Sequence, residues 1–171
     1  MKSMWISLGF AGMMLALAGG SVVTGLRFNA SESMPRGIWR AVKFDGVAHH
    51  GDAVAVCLDR TPMIERYVGT GSCPSGLEPV LKTIRAVGGD EIEWGPAGAW
   101  INGKKVWITL PLEQDSSGRD LEAWPYGIYR VADDEIWLFS SYSEKSFDSR
   151  YWGPVKISVV IARGVPVLTW K

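Results

Sequence analysis

Few side chains in this sequence can do chemistry, and their types narrow the choice. Histidine occurs only as the adjacent pair His49-His50 beside Gly51-Asp52, so a Ser-His-Asp triad would have to draw on a segment that reads as a solvated turn. The acidic residues show no spacing that selects a carboxylate pair and read as solvated surface. No glycine-rich loop follows a strand and opens a helix, which argues against nucleotide chemistry. Cys57 and Cys73 have no third Cys or nearby His, too few ligands for zinc, and no metal or other cofactor is expected. What remains is serine with lysine. A Ser hydroxyl is a poor nucleophile until a base removes its proton, and a free Lys, with a pKa near ~10.4, is almost wholly protonated. Burial among apolar groups disfavours the ammonium and can yield a neutral amine that accepts that proton. Lys82 lies among Val80, Leu81, Ile84 and Val87, which would desolvate it; the alternative is an ordinary strand lysine pointing into water.

The elements that must position such a pair read mainly as β-structure. Residues 38–44, 52–58, 80–87, 135–140 and 158–162 are short runs rich in β-branched or aromatic residues, bounded by Gly, Pro, Asp or Ser, and suggest an antiparallel barrel-like sheet. Asn102-Gly103 between apolar flanks predicts a hairpin. One short helix is expected over Pro62–Val68, with Thr61 as cap, Pro62 in the first turn and Gly69 past the end. The polar segment Glu113–Asp120 reads as a mobile surface loop.

The uncharged stretch from Met4 to Leu26 would reach roughly 34 Å as a helix, against about 30 Å for a bilayer core. It reads as a retained anchor, although Ala16-Leu17-Ala18 also fits a cleavable signal. Either reading exports the remainder, giving a membrane segment over residues 1–27 and one domain over 28–171. Arg27, Arg36 and Arg40 after the run, with only Lys2 before it, oppose the usual charge rule for orientation. Export favours a Cys57–Cys73 disulfide over two buried thiols. With 18 basic and 18 acidic residues, the chain has no electrostatic claim on nucleic acid.

Three ordered motifs now carry a resemblance. Ser31-Glu32-Ser33-Met34-Pro35 is similar to the Ser-x-Ser-Met box of type I signal peptidases. Lys82-Thr83-Ile84-Arg85-Ala86-Val87-Gly88-Gly89-Asp90 is similar to their second box, in which Gly-Asp follows a Lys. Ser146-Phe147-Asp148-Ser149-Arg150 is similar to the third. Between them, Cys57, Tyr67-Val68-Gly69, Gly71-Ser72-Cys73-Pro74 and Glu78-Pro79-Val80-Leu81-Lys82 resemble the TraF-type peptidases of conjugative transfer systems. The likeness runs from about Ser31 to the C-terminus. It departs where Val87-Gly88 stands in place of the family's Leu-Pro, a missing Pro that should loosen the turn near the lysine, and where the basic residue near that lysine is displaced to Arg85.

The resemblance implies a signal-peptidase β-fold behind one transmembrane helix, held in the bacterial inner membrane with its catalytic domain in the periplasm. It further implies Ser33 as nucleophile, Lys82 as general base, Ser146 orienting that lysine, and an oxyanion hole from the Ser33 amide and Ser31 hydroxyl. Turn capping is the alternative for Ser31 and Ser146. Asp148 and Arg150 are expected to pair and brace the site wall. The implied substrate is a conjugative pilin precursor, cleaved after a small residue through an acyl-enzyme that water hydrolyses or the pilin's own amino terminus takes up. Membrane lipid and other components of the type IV secretion apparatus are the implied partners. A housekeeping signal peptidase and a non-catalytic assembly protein are the rival readings; a LexA-like peptidase is set aside because the chain opens with a membrane run. Ser33 follows Leu26 by seven residues, at most about 23 Å of chain, so the site should lie near the membrane surface, with Met34, Ile38 and Trp39 as a lipid-facing or substrate-binding rim; core packing is the alternative for these residues and the favoured one for Ile38.

Overall fold

Apolar residues at every second position build the strands of the computed structural model, which describes residues 25–106 and 110–170. In chain order these strands are β1 (Leu26–Asn29), β2 (Arg36–Val42), β3 (Ala53–Val56), β4 (Val80–Val87), β5 (Glu91–Gly95), β6 (Gly98–Ile101), β7 (Lys104–Val106), β8 (Gly127–Arg130), β9 (Glu135–Phe139), β10 (Val155–Lys156) and β11 (Val160–Trp170). Val54 and Val56 of β3, or Ile92 and Trp94 of β5, turn inward while their neighbours stay outside, as the pleat dictates. The strands form a seven-stranded sheet ordered β1-β2-β11-β3-β4-β9-β10 and a four-stranded sheet ordered β7-β6-β5-β8, with every described pairing antiparallel. The mainly β, antiparallel expectation therefore holds.

Two apolar clusters fill the interior, and β9 serves both. Ile136 and Leu138 join Val54, Val56 and Ile84, whereas Trp137 and Phe139 join Ile92, Trp94 and Ile101. Strand β4 reaches both clusters by a different device. Ile84 and Ala86 would share a face in a regular strand, but a bulge between them turns Ala86 toward the second cluster.

Helix α1 (Pro62–Tyr67) forms where expected, its first turn closed by Ile64 N donating to Thr61 Oγ1 at 3.2 Å. Asn102 and Gly103, at φ 50° and 73°, make the predicted hairpin turn between β6 and β7. A disulfide joins Cys57 to Cys73 across a Cα–Cα distance of 5.5 Å.

The segment Glu113–Asp120 is the exposed surface loop expected, and it carries hydrogen bonds of its own. The Asp115 carboxylate accepts hydrogen bonds from Ser117 N, Arg119 N, Arg119 Nε and Tyr67 Oη, so one acidic side chain ties the turn together and docks it on α1. These donors, the Arg119 amide foremost, hold that carboxyl well below the usual carboxylate range. The expected membrane helix falls almost wholly outside the described residues, and no described helix is long and apolar enough to cross a membrane.

Candidate active site

The first motif forms a tight loop between β1 and β2. Asn29 shapes it, its Nδ2 donating to the carbonyls of Ser31, Met34 and Pro35 and its Oδ1 accepting from Ser31 N. Ser31 Oγ lies 2.7 Å from Ser33 Oγ and also accepts from Ser33 N at 3.2 Å. The two serines of the motif are thus in direct contact.

Two ties bring this loop to the lysine strand. Thr83 Oγ1, next to Lys82, donates to Met34 Sδ at 3.4 Å. Ser140 Oγ, just past β9, donates to the Ser33 carbonyl. Because Thr83 pairs with Phe139, Ser140 follows directly on the register that faces Lys82. Lys82 itself pairs with Val54 and is only 4% exposed. Burial pushes its ammonium down to about 8, against a rise from the nearby Asp148 carboxylate and with help from the Arg150 guanidinium. The outward-facing alternative is therefore wrong for this lysine. Among the described residues no hydrogen bond joins Lys82 Nζ to Ser33 or Ser146, and Ser146 Oγ is buried with no partner.

The third motif opens helix α2 (Ser149–Trp152), with Asp148 as its cap. Asp148 and Arg150 are fully buried and paired, Arg150 Nε donating to Asp148 Oδ1 at 2.8 Å and Arg150 Nη2 to Asp148 Oδ2 at 3.0 Å. Arg150 also donates to the carbonyl of Ser146 at 2.6 Å, and Ser140 N donates to Asp148 Oδ2 at 3.1 Å. A buried ion pair is tolerated only when its remaining lone pairs and protons are satisfied, and these backbone partners do that.

A cavity of about 300 Å³ opens beside the loop of the first motif, lined by Glu32, Met34, Pro35 and Arg36 with Tyr142 and Trp170. It offers apolar walls with an ion pair, Arg36–Glu32 at 2.7 Å, on its margin.

The description "Signal peptidase, peptidase S26" belongs to a family model that matches residues 1–170. The chain belongs to this signal peptidase family. Relatives of this chain include the Probable conjugal transfer protein TraF of Sinorhizobium fredii (strain NBRC 101917 / NGR234), 33% identical in an alignment that covers 95% of this chain and 89% of that one. The Plasmid transfer protein TraF of Escherichia coli is 33% identical in an alignment that covers 93% of this chain and 92% of that one. The Conjugal transfer protein TraF of Agrobacterium fabrum (strain C58 / ATCC 33970) is 32% identical in an alignment that covers 95% of this chain and 94% of that one. The crystal structure of a signal peptidase I from Enterococcus faecalis V583 superposes on 68% of this chain and 96% of its own, at 16% identity and a TM-score of 0.40.

Two sequence expectations need correction. Trp39 is buried in the core rather than on a rim and Ile38 is half-buried, whereas Met34, though little exposed, lines the cavity beside the loop together with the exposed Tyr142 and Trp170. The turn at Gly88 is not loosened by the missing Pro. Asp90 accepts from Val87 N at 2.8 Å, from Asn102 Nδ2 at 2.7 Å and contacts His50 Nε2 at 2.6 Å, so a side chain closes the turn instead. A Cβ at Gly88 would sit 2.6 Å from Asp133 Cα, which leaves no room for any larger residue.

Proposed function

We propose that the protein is a serine endopeptidase with Ser33 as nucleophile and Lys82 as general base, processing a pilin precursor in a conjugative transfer system. The observation that carries this reading is the burial of Lys82 beside the nucleophile loop, with its ammonium pushed down to about 8. Near that pH a large share of the amine is neutral. Neutral Nζ would take the proton of Ser33 Oγ as the oxygen attacks the scissile carbonyl; the peptide C–N bond then breaks and the Lys82 ammonium returns the proton to the leaving amine. Hydrogen bonds of this kind often tighten only when substrate binds, so the free contact of Ser33 Oγ with Ser31 Oγ is compatible with such a step.

Ser33 N–H and Ser31 Oγ–H would turn to the developing oxyanion, a donor of this kind contributing about 3 kcal/mol. Ser146, with its unpartnered buried hydroxyl, would orient Lys82 Nζ. The acyl-enzyme is then released to water or to the pilin's own amino terminus. Supporting the substrate class are the TraF-named relatives, and the cavity beside Ser33 would receive the precursor chain. A disulfide fits a periplasmic domain over residues 28–171, with residues 1–27 as its anchor in the inner-membrane lipid and other transfer components as partners.

The test uses the full-length chain coexpressed with the pilin precursor of its transfer system and, in parallel, with an ordinary secretory precursor. Ser33→Ala and Lys82→Ala are expected to abolish pilin processing, because the two side chains act as one unit; full processing by either removes the mechanism. Cleavage of the secretory precursor alone would replace the substrate. The wild-type single-turnover rate should rise about tenfold per pH unit up to a pH of about 8 and level off above it.

A further inference from the structure

The hydroxyl of Ser140 occupies a position that none of the three motifs includes. It is only 1% exposed and both sides of its hydrogen-bonding capacity are used: Oγ donates to the main-chain carbonyl of Ser33 and accepts from Tyr142 N at 3.1 Å. Its backbone N–H meanwhile donates to Asp148 Oδ2, whose carboxylate is locked to Arg150. Residue 140 is thus the one described joint between the nucleophile's own peptide group and the buried ion pair next to Lys82.

We propose that Ser140 is a positioning residue for the nucleophile, its hydroxyl fixing the Ser33–Met34 peptide plane and with it the direction of Ser33 Oγ and the placement of Ser33 N–H. The inference rests on Ser33 being the nucleophile. A carbonyl held by a buried hydroxyl that has its own acceptor role satisfied cannot swing without leaving two polar groups unpaired, which costs free energy at both ends. Thr83 holds the next residue, Met34, through its sulfur. The loop is therefore gripped at consecutive residues, from β4 on one side and from the end of β9 on the other.

This arrangement predicts a selective defect. Ser140→Ala removes the bond to Ser33 but keeps the backbone N–H bond to Asp148, so the ion pair and the lysine stay as they are. Loss of the clamp lets the attacking oxygen wander, and misplacement of about 1 Å can cost on the order of a hundredfold in rate.

The experiment measures kcat, KM and the pH–rate profile of the full-length enzyme in detergent micelles with purified pilin precursor, together with thermal unfolding. Expected for Ser140→Ala is a ten- to hundredfold lower kcat, with KM and the acidic limb of the profile unchanged. Ser140→Thr, which keeps the hydroxyl, should restore most of the rate, and it carries the test if the Ala variant does not fold. A folded Ala variant with wild-type kcat, a loss confined to KM, or a folded Thr variant as slow as Ala would overturn the inference. Ser33→Ala in the same assay separates the two claims: an active Ser33→Ala removes the nucleophile assignment, whereas an inactive one beside a fully active Ser140→Ala removes only the role of Ser140.

Discussion

Lys82→Met is expected to yield a protein that is more stable at neutral pH and inactive. The folded chain holds Lys82 at about 8 instead of 10.5, so between those values the unfolded chain binds more protons than the folded one. Stability then rises with pH across that window. The cost of the buried lysine is complete below pH 8, shrinks as pH rises from 8 to 10.5, and is gone above it. A difference of this size corresponds to about 3 kcal/mol at neutral pH. Methionine fills a similar volume without a charge, so the variant should regain most of that amount. Thermal unfolding at pH 7 and again near pH 10.5 checks the sign: the gain should be large in the first and vanish in the second. Equal gains at both would mean that packing, not desolvation of the ammonium, sets the difference.

Arg150→Met should have the opposite effect on stability and move the chemistry as well. It strands the Asp148 carboxylate, fully buried, without its guanidinium; breaking a buried pair from one side typically costs about 3–5 kcal/mol. Arg150 also lowers the Lys82 pKa while Asp148 raises it. Removing the arginine leaves the raising influence unopposed, so the acidic limb of the pH–rate profile should shift to higher pH. The double variant Asp148→Leu with Arg150→Met should recover part of the lost stability, since a well-packed apolar pair can replace an ion pair. Recovery stays partial because Asp148 also caps α2 and accepts from Ser140 N. A folded Arg150→Met with an unmoved limb would make the arginine a brace without electrostatic influence on the lysine.

The site was legible in the sequence where residue types are locally constrained. The Asp148–Arg150 pair, the Cys57–Cys73 bridge, the cap of α1 and the Asn102-Gly103 turn all follow from side-chain chemistry acting over a few residues or from the compartment. Ser140 was invisible, because a serine that bonds a carbonyl 107 positions away has the same local sequence signature as a turn serine. The strands show the same division. Val80–Val87 appeared at its full length, but β11 was expected over only 158–162 and runs from Val160 to Trp170. Pro166 breaks the strand pattern in sequence; in the fold it lies beyond the stretch of β11 paired with β3, where only β2 is a partner and the missing N–H is harmless. Strands β1, β5, β8 and β10 have no counterpart among the expected runs, since each is short and stabilised by its neighbours. The loop around Asp115 is legible as polar surface, but the four donors that gather on its one carboxylate are not, because one of them comes from Tyr67, 48 positions away.

The glycine at position 88 also limits how this enzyme can be improved by borrowing from its relatives. Writing in the proline of the signal peptidase box there assumes that a rigid turn is a stabler one. In this chain the backbone of Asp133 already fills that space, and Asp90 supplies the rigidity by other means. The local solution is an alternative lock, so a graft that changes residue 88 alone would have to rebuild the segment around Asp133 as well.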